Sequence, residues 1–226
     1  MSDSSAQAIR DSYDRIADEY ALRIYTELQS KPLDCELLDR FALETAGRGD
    51  VCDMGCGPGQ VARYLREKGT TVFGLDLSSE MLHHARRLNP DIDFWQGNML
   101  ALGLGDATLA GIAAFYAIVN IPAESLPQAF REMARVLQPG GLLLLAFHLG
   151  DAVLEVKELW DRPISMNFFL FQSASIAKML QAAGLEIEDT IEREPYAPEV
   201  EHQSRRAYIF ARKPGPPARP EFPAAQ

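Results

Sequence analysis

The feature that most constrains this chain is a run of glycines directly after a short apolar stretch. Residues 50–54 have the pattern of a buried strand, and Gly55, Gly57 and Gly59 follow at every second position before a helical pattern begins. Glycine accepts positive φ and lets a bound molecule approach the backbone. The unpaired amides at the start of the next helix favour negative charge. This order of elements predicts a ligand site at the carboxyl end of a strand in an α/β sheet.

The rest of the chain alternates between strand and helix patterns up to about Gly150. This alternation predicts an α/β fold with a doubly wound, Rossmann-like sheet. Beyond Gly150 we expect an irregular aromatic stretch, then one helix with Ser173 as its N-cap and two further strands, which would end the sheet with an antiparallel strand. The prediction is a seven-stranded, mostly parallel sheet. A helix before the sheet is predicted by apolar residues on one face: Ile9, Tyr13, Ile16, Tyr20 and Ile24.

The charge balance argues against two classes of partner. The 226 residues contain 22 Lys and Arg against 32 Asp and Glu, a formal net charge of −10. Nucleic-acid binding and docking on an anionic membrane both depend on basic contacts. The start of the chain lacks the pattern of a secretory signal, so we expect a cytoplasmic protein. We predict one domain over residues 1–213 and a proline-rich disordered tail over residues 214–226.

Asp76 adds a second part to the predicted ligand site. It ends the next strand pattern, 21 residues after Gly55, where a carboxylate can accept hydrogen bonds from both ribose hydroxyls of an adenosine cofactor. A dinucleotide site has the spacing G-x-G-x-x-G, whereas here it is G-x-G-x-G with Asp53 two residues before the first glycine. A carboxylate beside the turn is unfavourable for a diphosphate and favourable for an ammonium or sulfonium group. An NAD(P)-dependent oxidoreductase remains the alternative that shares the glycine turn.

The sequence DMGCGPG at residues 53–59 resembles the cofactor loop of class I S-adenosylmethionine (SAM)-dependent methyltransferases, close to their type-11 small-molecule branch. The resemblance extends from Tyr13 to Lys213 and implies N-terminal helices over a SAM pocket. The family usually has Asp at the position of Asn98, which is expected at the adenine edge. The cofactor-binding residues that the resemblance implies are Asp53, Gly55, Cys56, Gly57, Gly59, Asp76, Leu77, Met81, Asn98, Met99, Phe115, Tyr13 and Tyr20.

The candidate catalytic residues lie at the ends of the fourth and fifth predicted strands. Tyr116 and Asn120 follow the fourth strand and are expected to orient an acceptor, and His148 ends the fifth and is a candidate general base. His202 is a weaker candidate. The cluster of Glu201, Arg205 and Arg206 is interpreted as solvated or structural. We expect the acceptor pocket in the aromatic stretch after the fifth strand, which contains Trp160, Phe168 and Phe171.

Together these patterns predict methyl transfer from SAM to a small-molecule acceptor by in-line displacement. Such a reaction needs alignment and exclusion of water, but neither a metal nor a covalent intermediate. A base is needed only where the acceptor is a hydroxyl or a protonated amine. No nucleic-acid or membrane partner is expected, and the protein is predicted to be a monomer or homodimer. A non-catalytic SAM-binding partner subunit remains an alternative.

Overall fold

A seven-stranded sheet runs through the centre of the computed structural model, which describes residues 3–215. Its strands are β1 (Asp50–Met54), β2 (Val72–Asp76), β3 (Phe94–Gln96), β4 (Leu109–Phe115), β5 (Leu137–His148), β8 (Glu186–Arg193) and β9 (Arg206–Arg212). A separate hairpin is formed by β6 (Val153–Leu159) and β7 (Arg162–Phe169). The helices are α1 (Asp3–Ile24), α2 (Pro32–Thr45), α3 (Gln60–Glu67), α4 (Ser79–Leu88), α5 (Leu126–Val136) and α6 (Ser173–Ala182).

The strands lie in the order β3-β2-β1-β4-β5-β9-β8. Every pairing from β3 to β5 is parallel, whereas β9 is antiparallel to both β5 and β8. The predicted seven-stranded, mostly parallel fold with an antiparallel C-terminal strand is therefore confirmed. Chain order reverses between β1 and β4, and ligands of open α/β sheets bind in the crevice at such a point.

The central strands are apolar because both of their faces are covered. Leu142 and Leu144 of β5 pack on one side of the sheet with α2 and α3, while Leu143 and Leu145 pack on the other with α5 and α6. Strands buried on both faces carry continuous apolar runs, as parallel sheets require. This core holds the carboxyl ends of β1, β2, β4 and β5 in one row.

The aromatic stretch after Gly150 is not irregular, as the sequence predicted, but forms the β6–β7 hairpin. Its turn residues Trp160 and Asp161 both have positive φ, 52° and 61°. That is the backbone of the tight turns that suit the twist of a hairpin, and these turns normally contain Gly or Asn. The hairpin packs against α1, where the Ser165 amide donates to the Ser12 hydroxyl at 3.1 Å.

Two boundaries also differ from the sequence prediction. The Pro139–Gly140–Gly141 segment, predicted as a turn before the fifth strand, lies within β5 at a register shift against β4. Ser173, predicted as the N-cap of the last helix, is instead its first residue, and Gln172 is the N-cap. The predicted disordered tail falls almost wholly on residues beyond 215, outside the described range. None of the helices within residues 3–215 is long and apolar enough to cross a bilayer.

Candidate active site

The glycine turn between β1 and α3 forms one wall of the site, and its glycines have the positive φ angles that residues with side chains rarely adopt. Gly55 has φ +73°, and a Cβ added to it would lie 2.6 Å from the Cβ of Ala117. The Gly55 amide donates to the Leu75 carbonyl at 2.7 Å, which ties the turn to β2. A Cβ on Gly57 would project toward the ring of Tyr20, 3.6 Å away. The turn therefore leaves a gap between its backbone and α1.

Asp76 at the end of β2 faces this gap. Its two carboxylate oxygens accept from the Gly57 and Ser78 amides, each at 2.8 Å. The carboxylate is half-buried, and burial raises its pKa, partly offset by these amide hydrogen bonds. A carboxylate has about four acceptor positions, more than these amides use, so the group can also accept a hydrogen bond from a bound molecule.

Asp53 has a different position from the one its sequence context predicted. Its side chain is 2% exposed and accepts from the Ala62 amide in the first turn of α3 at 2.9 Å. Burial raises the pKa of this carboxyl to about 8, and the nearby Asp76 charge adds to the shift. Asp53 lines neither cavity described below. Its direct contact with a cofactor stays a prediction, and the contact present in the structure holds α3 against β1.

A first cavity of about 100 Å³ lies beyond the ends of β1, β2 and β4. Asn98 lines it, and its side-chain oxygen accepts from the Leu100 amide at 2.9 Å, which leaves one lone pair for a ligand. Of the predicted cofactor residues, those that line this cavity are Tyr13, Tyr20, Gly55, Gly57, Asp76, Leu77, Met81, Asn98, Met99 and Phe115. Cys56 lines the second cavity, and Gly59, at the N-cap of α3, lines neither.

A second cavity of about 320 Å³ adjoins the first. The two share Gly55, Gly57, Phe115 and Tyr116, together with Tyr13 and Tyr20 of α1. One side of the second cavity is apolar and is formed mainly by the hairpin and the residue after it: Leu154, Val156, Leu159, Trp160, Phe168 and Leu170. The opposite side is polar, with Glu27, Lys31, Tyr116, His148, Glu201, His202 and Arg206.

Each of the three predicted catalytic residues lines at least one of the two cavities. Asn120 and Tyr116 are, however, hydrogen-bonded to other residues of the protein. The Asn120 amide accepts from the Tyr13 hydroxyl at 2.7 Å and donates to the Asn167 carbonyl at 2.8 Å. The Tyr116 hydroxyl lies 3.4 Å from that of Tyr208, directed into the protein. Asn120 therefore joins α1 to the hairpin, and Tyr116 presents its ring to the cavities.

His148 is placed at the second cavity with its Nδ1 atom 2.8 Å from the Ser204 hydroxyl. Burial lowers the pKa of the ring to about 3, and the charges of Arg206, His202 and Lys31 add to this effect. The imidazole is therefore neutral at physiological pH.

The polar side of the second cavity contains ionic residues that sequence reasoning missed or placed elsewhere. Lys31, read only as part of a helix break, is 4% exposed and its Nζ lies 2.6 Å from Glu27. Arg206, interpreted as solvated or structural, is 2% exposed and lies 3.6 Å from Glu201. Glu201 also forms an ion pair with Arg193. A single Lys before Pro32 carries no signal of such a role, because its second carboxylate neighbour, Glu201 at 3.7 Å, is distant in the chain.

Comparison with known proteins agrees with this geometry. Residues 51–141 match a family model described as a methyltransferase domain. A malonyl-(acyl-carrier protein) O-methyltransferase of Salmonella typhimurium is 30% identical, over 77% of this chain and 68% of that relative. The chain belongs to the class I SAM-dependent methyltransferases. Its cofactor is accordingly S-adenosylmethionine.

Two further matches show how much of a relative this chain covers and which solved structure shares its fold. The corresponding enzyme of Enterobacter lignolyticus is 33% identical over 74% of this chain and 65% of its own length, so this chain spans less than two thirds of that relative. A solved structure titled as the 4+2 cyclase SpnF has a TM-score of 0.72 at 20% identity, and covers 93% of this chain and 97% of its own. That likeness shows the fold alone, since one fold carries many chemistries.

The residues around the first cavity fit SAM. Gly57, Asp76, Leu77 and Met99 line this cavity together, which brings exposed backbone, a carboxylate acceptor for ribose hydroxyls and apolar contacts for an adenine ring into one place. When bound, SAM supplies an electrophilic methyl group on a sulfonium. Within residues 3–215, no three His, Cys, Asp or Glu side chains are grouped so that they could hold a metal ion.

Proposed function

We propose that this chain transfers a methyl group from SAM to a small-molecule acceptor bound in the second cavity. The observation that carries the proposal is that the two cavities meet at Gly55, Gly57, Phe115 and Tyr116, at the carboxyl ends of β1 and β4. A cofactor in the first cavity and an acceptor in the second would face each other across this junction. Alignment of the two molecules is the main contribution that a protein makes to such a displacement.

The chain's own residues align the reactants and exclude water. Asp76 and the glycine turn would hold the ribose and the amino-acid end of the cofactor, while Tyr13 and Tyr20 of α1 line both cavities and the hairpin lines the second. The apolar hairpin side chains would bind the hydrocarbon part of the acceptor. Side chains that exclude water from the reacting atoms favour such a displacement.

The relatives named above act, by their names, on an acceptor attached to an acyl-carrier protein, and a 32% identical relative from Thermosynechococcus vestitus is named as a 2-phytyl-1,4-naphtoquinone methyltransferase. These acceptors differ widely. We therefore infer the acceptor of this chain from its own cavity, which has one apolar and one ionic side.

Binding of the cofactor tests the first half of the proposal. We expect SAM and S-adenosylhomocysteine to bind in calorimetry, and Asp76→Ala to weaken both at least tenfold, which is about 1.4 kcal/mol, because the ribose hydroxyls lose their acceptor. Asp50→Ala is the matched control: this exposed carboxylate lies at the opposite end of β1, and its loss should change either affinity less than twofold. No binding of either molecule to the unaltered protein would contradict the proposal.

Transfer of the methyl group tests the second half. With methyl-labelled SAM and a cell metabolite extract, we expect a labelled product to accumulate. Persistent absence of such a product, with cofactor binding intact, would favour the alternative of a non-catalytic SAM-binding partner subunit.

A further inference from the structure

Asp14 of α1 contacts the first residues of α4 through one oxygen of its carboxylate. This Oδ1 atom accepts from the Ser78 hydroxyl at 2.5 Å and from the Glu80 amide at 3.1 Å. Ser78 is the N-cap of α4, and its hydroxyl oxygen accepts in turn from the Met81 amide at 3.1 Å. The first amides of a helix have no partner within the helix itself. Asp14 therefore supplies, from a different helix, the acceptor for one of them.

The backbone of Ser78 connects this contact to the carboxylate of Asp76. The Ser78 amide donates to Asp76 Oδ1 at 2.8 Å, and the Gly57 amide donates to Asp76 Oδ2 at 2.8 Å. Ser78 is 1% exposed, so its polar groups depend on these protein partners rather than on water. Asp76 is thus held between the glycine turn and the start of α4, and Asp14 supports the second of these.

The helix that carries Asp14 also carries two residues that line both cavities. Tyr13 directly precedes Asp14, and Tyr20 lies further along α1. The helix packs on α4 through an apolar cluster that includes Met81, which lines the first cavity. The contact between α1 and α4 therefore sets where Tyr13 and Tyr20 lie relative to Asp76.

A second polar contact joins the same two helices further along α4. Asp18, one turn after Asp14, lies 3.0 Å from the Nε2 atom of His84. His84 is in the middle of α4 and lines neither cavity. Asp18 therefore holds α1 against α4 as Asp14 does, but among the described residues it makes no hydrogen bond to Ser78, which contacts Asp76. The two aspartates separate docking of the helix from support of Asp76.

We propose that Asp14 is a positioning residue for the cofactor: through Ser78 it holds Asp76 in place for the ribose hydroxyls, and it thereby couples α1 to the bound ribose. This deepens the proposed function and rests on its assignment of the ribose to Asp76. A carboxylate that is fixed in advance loses less conformational freedom on binding than one that can rotate. Because such coupling is reciprocal, a ribose bound at Asp76 also stabilises the contact of α1 with α4.

Calorimetry with S-adenosylhomocysteine tests the positioning role. Asp14→Ala removes the acceptor for the Ser78 hydroxyl and the Glu80 amide, and should weaken binding at least fivefold, about 1 kcal/mol. Asp14→Asn keeps one oxygen, which is all that both contacts use, and should stay within twofold of the unaltered protein. Asp18→Ala is the matched control and should also change the affinity less than twofold. Equal affinities for Asp14→Ala and Asp18→Ala would overturn this inference and leave the proposed function intact.

A double substitution shows whether Asp14 acts through Asp76. In protein that already carries Asp76→Ala, adding Asp14→Ala should change the affinity less than twofold, because the carboxylate that Asp14 positions is gone. A fivefold loss in both backgrounds would show that Asp14 supports the site independently of Asp76, which contradicts the inference. If Asp76→Ala alone left the affinity unchanged, the assignment of the ribose and this inference would fail together.

Amide hydrogen exchange measures the coupling in the reverse direction. At saturating S-adenosylhomocysteine we expect exchange in residues 12–18 of α1 to slow at least tenfold in the unaltered protein and less than threefold in Asp14→Ala, with β4 and β5 reporting that the variant is folded. Equal slowing in both proteins would contradict the coupling. Should Asp14→Ala not fold, Ser78→Gly removes the same hydroxyl contact, and glycine is tolerated at an N-cap. It should weaken binding at least threefold, and an unchanged affinity would overturn the inference.

Discussion

Asp53 and Asp76 lie at the ends of neighbouring strands, but their carboxylates make different contacts. Asp76 accepts from amides of the two turns that border the first cavity, and it remains open to that cavity. Asp53 lies beneath the same turn and contacts only the Ala62 amide among the described residues. The G-x-G-x-G pattern located both residues, but it could not tell which would face the cavity. That depends on side-chain direction, which is set by how α3 packs on β1.

Because the Asp53 carboxyl is buried, we expect the free energy of unfolding to fall as pH rises. Its pKa of about 8 in the fold lies above the 3.8 of an unperturbed Asp, so the folded state favours the protonated form. The contribution of Asp53 to the free energy of unfolding therefore falls as pH rises between these two pKa values. The loss is about 3 kcal/mol between pH 5.5 and 8.5. Asp53→Asn keeps an acceptor for Ala62 and should remove this dependence in urea unfolding of the cofactor-free protein. Asp50→Asn, at the exposed start of β1, should leave the dependence intact; equal slopes for both variants would refute the assignment.

Among the elements, the β6–β7 hairpin is the one that sequence patterns missed. Its strands carry a partial alternation, but its turn consists of Trp160 and Asp161, neither of which signals positive φ at two successive positions. The turn is held by tertiary contacts instead: the Trp160 ring packs edge-on against Tyr20 at 5.9 Å, and the Arg23 guanidinium lies 5.4 Å above it. The parallel strands were predictable because their apolar runs and turn residues are local, whereas this hairpin depends on α1.

Asn120 couples that hairpin to α1, which predicts a specific effect of its removal. Asn120→Ala eliminates the hydrogen bonds to the Tyr13 hydroxyl and the Asn167 carbonyl, and should cost about 1–3 kcal/mol of stability. We expect faster amide hydrogen exchange in α1 and β7, with β4 and β5 unchanged. Asn167→Ala is the control, since Asn167 is exposed and its contact with Asn120 uses the backbone carbonyl. Similar exchange in both variants would contradict the coupling.

For the molecule as a whole, Asp34 joins the first and last parts of the described chain. Its carboxylate in α2 accepts from the Tyr208 hydroxyl in β9 at 2.9 Å and from Arg193 in β8 at 3.2 Å. Burial raises the pKa of Asp34, and the charges of Lys31 and Arg193 oppose that rise. Sequence patterns predicted the helix and both strands but not this network, because its members are separated by more than 150 residues in the chain.

Tyr208→Phe tests this long-range connection. The substitution removes a buried hydroxyl that pairs with Asp34 and accepts from Arg193 at 2.9 Å, and should lower the free energy of unfolding by about 1–3 kcal/mol. Tyr64→Phe removes a hydroxyl bonded to Asp39 at the surface, and we expect a change within about 0.5 kcal/mol. Denaturant unfolding measures both, and equal losses would show that Tyr208 stabilises the protein by packing alone.

The place of β9 in the sheet has a consequence for the order in which the protein forms during synthesis. β9 is the last strand of the described chain, yet it fills the position between β5 and β8, and within residues 3–215 β8 pairs with no strand other than β9. All the residues that line the first cavity precede α5, whereas Glu201 and Arg206 of the second cavity lie just before β9 or at its start. During synthesis the lining of the first cavity would therefore emerge before the lining of the second is complete.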